Sequence, residues 1–276
     1  RHQIDPLVAA GYRVAMPDQR GYGKSSKPEA VEAYNIRELA ADVNGIAAAL
    51  GYTQYTLIGH DWGCLVAWNT ALLYPQTCTA VMGLSVPFWR PTDATVNPPG
   101  FDDRFWYIRY FQQPGVMEAE LEADLEASLL QLYYGLAADS PFGAWMKQLE
   151  FPADSKLLDA LPKTDRLPAW LSADDFAVYL ASYRESGFRG PTNWYRNIPR
   201  LHLDTPELEG VKIKAPTYFM QGTRDAVQYF LPSEGLADRH EDLRAMVPIE
   251  GAGHWLPMEA ADVVTDHAIR FLAEFK

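Results

Sequence analysis

The stretch Gly59-His60-Asp61-Trp62-Gly63 joins a short apolar run at residues 55–60 (YTLIGH) to a longer apolar segment at residues 62–73. The short run is typical of a buried strand, whereas the segment after it has apolar residues on nearly all faces, as a buried helix does. The two glycines allow the strand and helix backbones to approach each other across a sharp turn. The stretch therefore predicts a strand–turn–helix unit with Asp61 held in a strained, exposed turn.

The segments on either side of this unit repeat the order of strand and helix. Residues 11–17 (GYRVAMP) and 80–86 (AVMGLSV) are predicted strands. Between the first two strands, residues 36–50 carry apolar side chains at helical spacing behind a capping pair formed by Asn35 and Glu38. Alternation of strands and helices indicates an α/β fold, in which helices cover both faces of a mostly parallel sheet.

A long middle segment interrupts this pattern. From residue 89 to about residue 210 the chain is rich in tryptophan, tyrosine and proline, and apolar residues recur at every fourth position from Met117 to Leu129. Strands are predicted again at 215–221 and 245–249, before a final amphipathic helix. We therefore expect residues 1–88 and 211–276 to form an α/β core, and residues 89–210 to form an inserted helical lid, or cap domain.

Two groups of polar residues are interpreted as having no catalytic role. His60 is expected to pack beside the turn, and His240 and His267 to lie on the surface. The acidic residues in the middle segment are interpreted as a solvated helix face. They are Glu118, Glu120, Glu122, Asp124 and Glu126.

Charge and cysteine content exclude several classes of function. With 24 Lys and Arg against 36 Asp and Glu, the net charge of −12 repels nucleic-acid phosphates and anionic lipid headgroups, so neither partner is expected. The two cysteines, Cys64 and Cys78, have neither CxxC nor zinc-ligand spacing, and a disulfide-dependent fold of this size would carry more. A cytoplasmic location is therefore expected, and the sequence leaves a homo-oligomer open.

No cofactor or metal is expected from the motifs. Residues 21–25 (GYGKS) superficially resemble a phosphate loop, but Asp18 occupies the position where that motif requires its first glycine. No cluster of residues has the ligand spacing of a zinc or calcium site.

Asp61 has the position of a nucleophile at a strand-to-helix turn. A carboxylate is already ionised at neutral pH and needs no base in order to attack, so it suits displacement at carbon and formation of an ester. Asp225 and His254 follow later predicted strands, and the order nucleophile, acid, histidine is one that catalytic triads use. The alternative is that Asp61 only caps the following helix and that Asp225 is a turn residue.

Four segments carry a resemblance to the soluble epoxide hydrolases of the α/β-hydrolase superfamily. They are residues 10–26 (AGYRVAMPDQRGYGKSS), 59–63 (GHDWG), 107–122 (YIRYFQQPGVMEAELE) and 186–197 (SGFRGPTNWYRN). The resemblance covers essentially the whole chain. It implies an α/β-hydrolase fold with a cap domain, and an enzyme that converts a small epoxide and water to a vicinal diol.

The resemblance also implies roles for residues of the middle segment. In the family two cap tyrosines hydrogen-bond the epoxide oxygen, and the matching positions are Tyr107 and Tyr195. A phenol stays protonated at neutral pH and can donate to the oxygen as negative charge develops. Trp106 and Trp194 are expected mainly to pack, although either could line the substrate pocket.

The implied reaction has two steps. Asp61 attacks an epoxide carbon and forms a hydroxyalkyl ester, and His254, supported by Asp225, then activates the water that hydrolyses the ester. The backbone N–H of Trp62 is expected to supply half of the oxyanion hole, and its side chain could line the pocket.

Two alternatives remain open at this stage. A haloalkane dehalogenase resembles the chain in its nucleophile, its triad and the tryptophan after the nucleophile, but it needs halide-binding N–H groups rather than phenols. A non-catalytic ligand-binding protein on the same fold is the second, because a fold does not determine a function.

The first residues, Arg1-His2-Gln3-Ile4, resemble the middle of the family's first helix. The strands expected before it, and the His-Gly-x-Pro loop that would supply the second oxyanion-hole N–H, are not among these 276 residues. We therefore expect several tens of residues to precede Arg1 in the full protein.

Overall fold

A computed structural model describes residues 1–141 and 143–275 of the chain, which form two compact units. The first, called the sheet unit, comprises Arg1–Pro17, Leu39–Trp89 and Glu207–Lys276. The second, called the helical unit, comprises Asp18–Glu38 and Arg90–Pro206.

The segment 18–38 belongs to the helical unit, although the sequence analysis assigned it to the α/β core. Hydrogen bonds within that unit explain the grouping, since Trp194 Nε1 donates to Arg20 O at 3.0 Å and Asn197 Nδ2 to Val31 O at 2.8 Å. The predicted domain boundaries at residues 88 and 210 stay a prediction.

The sheet unit contains a four-stranded parallel sheet in the order β1-β2-β3-β4, as the predicted α/β fold requires. The strands are β1 (Tyr55–His60), β2 (Cys78–Leu84), β3 (Thr217–Gly222) and β4 (Leu243–Ile249). Because parallel strands in register end together, the loops that follow β1, β3 and β4 leave the sheet at one edge.

The described residues form thirteen α-helices, numbered in chain order. Those wholly or partly in the sheet unit are α1 (Ile4–Ala9), α2 (Ile36–Ala49), α3 (Trp62–Leu73), α12 (Leu256–Glu259) and α13 (Ala261–Ala273). Those of the helical unit are α4 (Asp93–Val96), α5 (Tyr107–Tyr110), α6 (Val116–Ala123), α7 (Leu125–Leu136), α8 (Leu157–Ala160), α9 (Ala173–Ser186), α10 (Arg189–Arg196) and α11 (Leu201–Asp204). Short 3₁₀ helices occupy Val31–Tyr34, Ala144–Glu150, Ile198–Arg200, Pro206–Leu208, Ala226–Tyr229 and Leu236–Arg239.

Helices cover both faces of the sheet, as predicted. Neighbouring residues of a strand point to opposite faces, and Val81 and Met82 of β2 accordingly belong to two different apolar clusters. Trp68 of α3 packs in the cluster of Val81, and Phe271 of α13 in that of Met82. Of the described helices, none combines the length and the apolar character needed to cross a membrane.

The predicted strand at residues 11–17 is wrong. Within the described part of the chain this segment pairs with none of the four strands. Tyr12 and Val14 nevertheless pack against the apolar cluster beside α13, which explains the alternating pattern in the sequence. Alternation records which side chains face a core, whereas a strand also requires a hydrogen-bonded neighbour.

The helical pattern from Met117 to Leu129 covers two helices, α6 and α7, rather than one. Asp124 separates them with a non-helical backbone, at φ −142° and ψ 86°, and its side chain accepts a hydrogen bond from the Ala127 N–H at 3.1 Å. An aspartate in this position caps the helix that follows it, so the apolar spacing continues across a break in the backbone.

Three of the acidic residues have partners in other elements, and the interpretation as a solvated face is wrong for two of these, Glu118 and Glu120. Glu120 accepts hydrogen bonds from the Leu158 N–H at 2.9 Å and from the Tyr110 hydroxyl at 2.6 Å, and the exposed Glu122 accepts one from the Phe188 N–H at 2.9 Å. These carboxylates satisfy donors from other elements, which sequence periodicity does not reveal.

Two histidines predicted on the surface are also placed differently. His240 is 4% exposed, hydrogen-bonds the Thr217 hydroxyl at 2.9 Å and has its pKa lowered to about 4 by burial. His267 is partly buried and bonds the Tyr218 hydroxyl at 2.6 Å. Both rings act as packing groups with one polar contact.

The third acidic residue, Glu118, forms a buried ion pair with Arg196. Their closest atoms lie 2.7 Å apart, and the side chains are 11% and 5% exposed. Because removing one partner leaves an uncompensated buried charge, Glu118→Ala should lower the free energy of unfolding by about 3–5 kcal/mol. Urea unfolding followed by circular dichroism measures this loss.

An exposed pair in the same unit provides the control. Lys163 and Asp159 lie 3.6 Å apart with side chains 68% and 66% exposed, so Asp159→Ala should change the free energy of unfolding by less than about 1 kcal/mol. Equal losses for the two variants would contradict a distinct contribution from the buried pair.

Candidate active site

Asp61 lies between the last residue of β1 and the first residue of α3, with backbone angles φ 54° and ψ −121°. A Cβ on Gly59 would lie 2.3 Å from the Gly63 carbonyl oxygen, whereas one on Gly63 would meet no atom within 4 Å. The requirement for a small residue is therefore confirmed at Gly59 and wrong at Gly63. The Asp61 side chain makes no capping hydrogen bond to α3, which argues against the purely structural alternative.

The structure brings Asp61, His254 and Asp225 together in one line. His254 Nε2 lies 3.2 Å from Asp61 Oδ2, and His254 Nδ1 lies 3.2 Å from both carboxyl oxygens of Asp225. Asp225 and His254 are buried, whereas the Asp61 side chain is 35% exposed. The imidazole is thus fixed between two carboxylates, and only the carboxylate at the turn faces outward.

Asp225 also has the turn role that the sequence analysis considered as an alternative. Its Oδ1 accepts a hydrogen bond from the Val227 N–H at 2.9 Å, which caps the 3₁₀ helix Ala226–Tyr229. The capping bond fixes the orientation of the carboxylate against the imidazole, so the two roles are compatible.

The pKa of His254 is raised to about 10. Burial alone would lower it, but the charges and hydrogen bonds of Asp225 and Asp61 outweigh that effect. Burial alone would raise the pKa of the Asp61 carboxyl, but the hydrogen bond and positive charge of His254 hold it below its usual value. Asp61 is therefore ionised and His254 protonated in the resting protein at neutral pH.

The backbone N–H of Trp62, the first residue of α3, helps to hold the pKa of the Asp61 carboxyl below its usual value. This N–H immediately follows the nucleophile candidate, as the predicted oxyanion-hole donor does. It can stabilise negative charge on an oxygen of the Asp61 side chain.

Two side chains hold the backbone carbonyl of His254. His60 Nε2 lies 2.6 Å from it and the Ser85 hydroxyl 2.9 Å. Since a carbonyl only accepts, His60 carries its proton on Nε2, and burial lowers the pKa of its ring to about 4. His60 packs beside the turn as predicted, with its ring centroid 4.9 Å from that of His254.

Sequence reasoning missed Ser85 and Glu259. Ser85 is buried directly after β2 with a positive φ of 74°, a conformation rare for serine. Glu259 accepts hydrogen bonds from the Gly253 N–H at 2.7 Å and the Trp255 N–H at 3.1 Å, so it fixes the loop that carries His254. A glutamate five residues after the histidine was the available signal for Glu259, but nothing local distinguishes Ser85.

The predicted tyrosines lie together within the helical unit. Tyr107 is the first residue of α5 and is 8% exposed, and Tyr195 is partly buried in α10. Their ring centroids are 6.1 Å apart, and Phe111 contacts both rings edge-on, with centroids at 5.5 Å and 4.8 Å. Two phenols are thus held as a pair.

The two tryptophans next to these tyrosines have the environment of packing residues. Trp106 is 3% exposed and donates from Nε1 to Thr95 O at 2.9 Å, and Trp194 is 1% exposed with its Nε1 bonded to Arg20 O. Contact of either indole, or of the Trp62 side chain, with a substrate stays a prediction.

Sequence reasoning also missed two glutamines bonded to the tyrosine-bearing segments. Gln148 accepts a hydrogen bond from the Tyr107 N–H at 3.0 Å, and Gln112 donates one to the Tyr195 carbonyl at 3.0 Å. Gln112 lies within the segment 107–122 that carried the resemblance, whereas Gln148 lies in a 3₁₀ helix far along the chain. Within residues 1–141 and 143–275, no group of three or more His, Cys, Asp or Glu side chains is placed to hold a metal ion.

Comparisons with known proteins relate nearly the whole chain to one family. A family model described as the alpha/beta hydrolase fold matches residues 1–261. Epoxide hydrolase A of Mycobacterium tuberculosis is 40% identical over 277 residues, covering 99% of this chain and 85% of that protein. The crystal structure of epoxide hydrolase A from Mycobacterium thermoresistibile has a TM-score of 0.92 and 43% identity, covering 99% of this chain and 86% of that one. An epoxide hydrolase from an endophytic Streptomyces has a TM-score of 0.93 and 38% identity, covering 99% and 84%.

The charge state of His254 can be tested directly. Nitrogen-15 NMR of the imidazole should show that it stays protonated to well above pH 8, with a pKa near 10. Asp61→Asn should lower this pKa, because it removes one of the two negative charges beside the ring. A pKa near 6.5 in the parent protein, or one unchanged by Asp61→Asn, would contradict this account of the electrostatics.

Proposed function

The chain belongs to the epoxide hydrolase family of the α/β-hydrolase superfamily, and from that premise we propose how its residues convert an epoxide and water to a vicinal diol. The observation that carries the proposal is the line of Asp61, His254 and Asp225, in which a carboxylate occupies the position of the nucleophile. A carboxylate at this position can form an ester with carbon, and a histidine beside it can direct the hydrolysis of that ester.

In the first step an oxygen of Asp61 attacks one carbon of the epoxide. The carbon–oxygen bond of the strained ring breaks, and the electron pair passes to the epoxide oxygen. The outcome is a hydroxyalkyl ester on Asp61. The lowered pKa of Asp61 supports this step, because the nucleophile is ionised without the help of a base.

Tyr107 and Tyr195 bind the epoxide oxygen during this attack, and one of them donates its proton to the developing alkoxide. An alkoxide is a poor leaving group unless its charge is stabilised as it forms. The support for this assignment is the match of both positions to the family and the pairing of the two rings within the helical unit.

In the second step His254 takes a proton from water, and the resulting hydroxide attacks the ester carbonyl. The protonated imidazole of the resting protein cannot do this, so His254 must first lose its proton, which solvent can carry to the tyrosinate that the first step leaves. Formation of the ester removes the negative charge of Asp61 and thus one of the two carboxylates that raise the pKa of His254. Alkylation itself therefore favours the neutral base that hydrolysis needs.

The oxygen that carries negative charge in the second step belongs to the former Asp61 carboxylate. The Trp62 N–H already favours the charged form of that group, so it can stabilise the tetrahedral intermediate. As the intermediate collapses, the carbon–oxygen bond to the diol breaks and the proton of the new Asp61 carboxyl passes to the departing diol oxygen. This restores the carboxylate and leaves His254 protonated.

Compartment and assembly are further proposals. Both cysteines are free and buried, and burial raises the pKa of each thiol to about 12, which fits a protein with no need for disulfides. We propose the cytoplasm as its location. Association into a homo-oligomer stays a prediction. So does the role of residues 89–210 as a cap domain over the substrate.

The ester on Asp61 can be tested by isotope labelling. In a single turnover of a styrene-type epoxide in ¹⁸O water, the diol should contain unlabelled oxygen from Asp61, because water attacks the ester carbonyl and not the substrate carbon. Mass spectrometry of the diol measures this, and label in the diol of the first turnover would mean direct attack by water.

The assignment of alkylation to Asp61 and of ester hydrolysis to His254 can be tested separately. His254→Gln should permit alkylation and block hydrolysis, so the mass of the protein should rise by that of one substrate. Unmodified protein with substrate bound would count against the assignment.

The tyrosines should act in the first step only. Tyr107→Phe or Tyr195→Phe should slow alkylation by roughly 2–4 kcal/mol of activation free energy, as expected for one lost transition-state donor. Stopped-flow single turnover measures alkylation, and the double variant should be much slower than either single variant. A double variant that opens epoxides at the parent rate would favour a dehalogenase, to be checked with a bromoalkane.

A further inference from the structure

Gln148 is a buried side chain bonded to the backbone at Tyr107. It is 0% exposed, its Oε1 accepts from the Tyr107 N–H at 3.0 Å, and its Nε2 donates to the Trp145 carbonyl at 3.2 Å. Tyr107 begins α5, a helix of only four residues whose N-cap, Trp106, makes no side-chain capping bond. Gln148 therefore supplies an acceptor for the first backbone N–H of this helix.

Gln112 is bonded to the backbone on both tyrosine-bearing helices. Its Nε2 donates to the Ile108 carbonyl in α5 at 2.9 Å and to the Tyr195 carbonyl in α10 at 3.0 Å. One side-chain amide thus bridges Ile108, the residue after Tyr107, and Tyr195. This bridge fixes the distance between the backbones of the two tyrosine-bearing helices.

We propose that Gln148 and Gln112 are positioning residues that set the two phenols at the spacing needed to hold one epoxide oxygen. This inference rests on the role of Tyr107 and Tyr195 proposed above. A phenol hydroxyl lies at the far end of its side chain, so a small rotation of the backbone moves it further than the backbone itself. Neither glutamine touches the substrate in this role.

Packing alone does not fix the hydroxyls to the same degree. Phe111 contacts both phenol rings edge-on, and Trp145 contacts the ring of Tyr107 with centroids 5.4 Å apart. Ring contacts of this kind tolerate sliding, whereas a hydrogen bond weakens steeply as its angle bends away from linear. The glutamines supply the directional part of the constraint.

The test compares two variants with a matched control. Methionine keeps the shape of glutamine and removes its polar atoms, so Gln148→Met and Gln112→Met delete the bridges with little change in volume. Gln131→Met is the control, because Gln131 is 7% exposed and donates to the Leu158 and Leu161 carbonyls of the same unit, away from both tyrosines.

Alkylation and ester hydrolysis are measured separately in single turnover. Gln148→Met and Gln112→Met should slow alkylation by roughly 10- to 100-fold, the effect of a misplaced reacting group, and leave hydrolysis of the ester unchanged. Gln131→Met should lower the melting temperature comparably and leave both steps unchanged. Equal slowing of both steps, or slowed alkylation in the control, would overturn the proposal.

Double variants of Gln148 with each tyrosine identify the hydroxyl through which Gln148 acts. Gln148→Met should slow alkylation in a Tyr195→Phe background but have little further effect in a Tyr107→Phe background, where the hydroxyl that it positions is gone. Effects that multiply independently in both backgrounds would overturn the proposal while leaving the tyrosine roles intact. Parent rates in both tyrosine variants would instead overturn the proposed function, and this inference with it.

A conservative variant distinguishes loss of the hydrogen bond to Tyr107 from loss of folded protein. Because burial favours the neutral form of a carboxyl, Gln148→Glu keeps an uncharged acceptor for the Tyr107 N–H in the shape of the amide, so its alkylation rate should lie well above that of Gln148→Met. Rates are compared per active site, counted by the amount of ester trapped. A glutamate variant as slow as the methionine variant would mean that the bond to Tyr107 is not what matters.

Discussion

The imidazole of His254 lies between the carboxylates of Asp61 and Asp225, and this is the interaction on which the proposed chemistry depends. It requires side chains from three separate loops to meet within hydrogen-bonding distance, and the parallel sheet makes that possible. Asp61 follows β1, Asp225 follows β3 and His254 follows β4, so all three leave the sheet at the same edge. Polar contacts from His60, Ser85 and Glu259 then fix the loop that carries His254.

An aspartate nucleophile changes what the histidine has to do. A serine would need the base before the first step, whereas Asp61 is ionised already and His254 is needed only afterwards. The same carboxylate that attacks also holds the imidazole in its protonated form until the ester exists. The charges at the site therefore determine the order of the two proposed steps, because His254 becomes a neutral base only after Asp61 has formed the ester.

Local patterns in the sequence were sufficient for the parts of the molecule that local physics determines. The turn at Asp61, the buried helix α3 and the strands of the sheet follow from apolar periodicity and glycine placement, and the triad follows from the order of its residues. The structure of segment 11–17 and the contacts of Glu118 and Glu120 did not follow, and neither did the break at Asp124. The first two depend on partners distant in the chain, and a single sequence without its contacts does not specify which glutamate meets an arginine and which meets water. The break at Asp124 comes from a local cap that the continuous apolar spacing conceals.

The helical unit illustrates why such distant partners matter for function. Its tyrosine-bearing helices, α5 and α10, have four and eight residues, too few for a helix to be stable by itself. Their geometry must come from side chains that satisfy exposed backbone groups, and buried amides and carboxylates do this with directional bonds. Apolar packing could supply the same stability with less positional definition. If the helical unit places two hydroxyl groups as proposed, buried polar residues serve it better than the leucines that a purely structural unit would use.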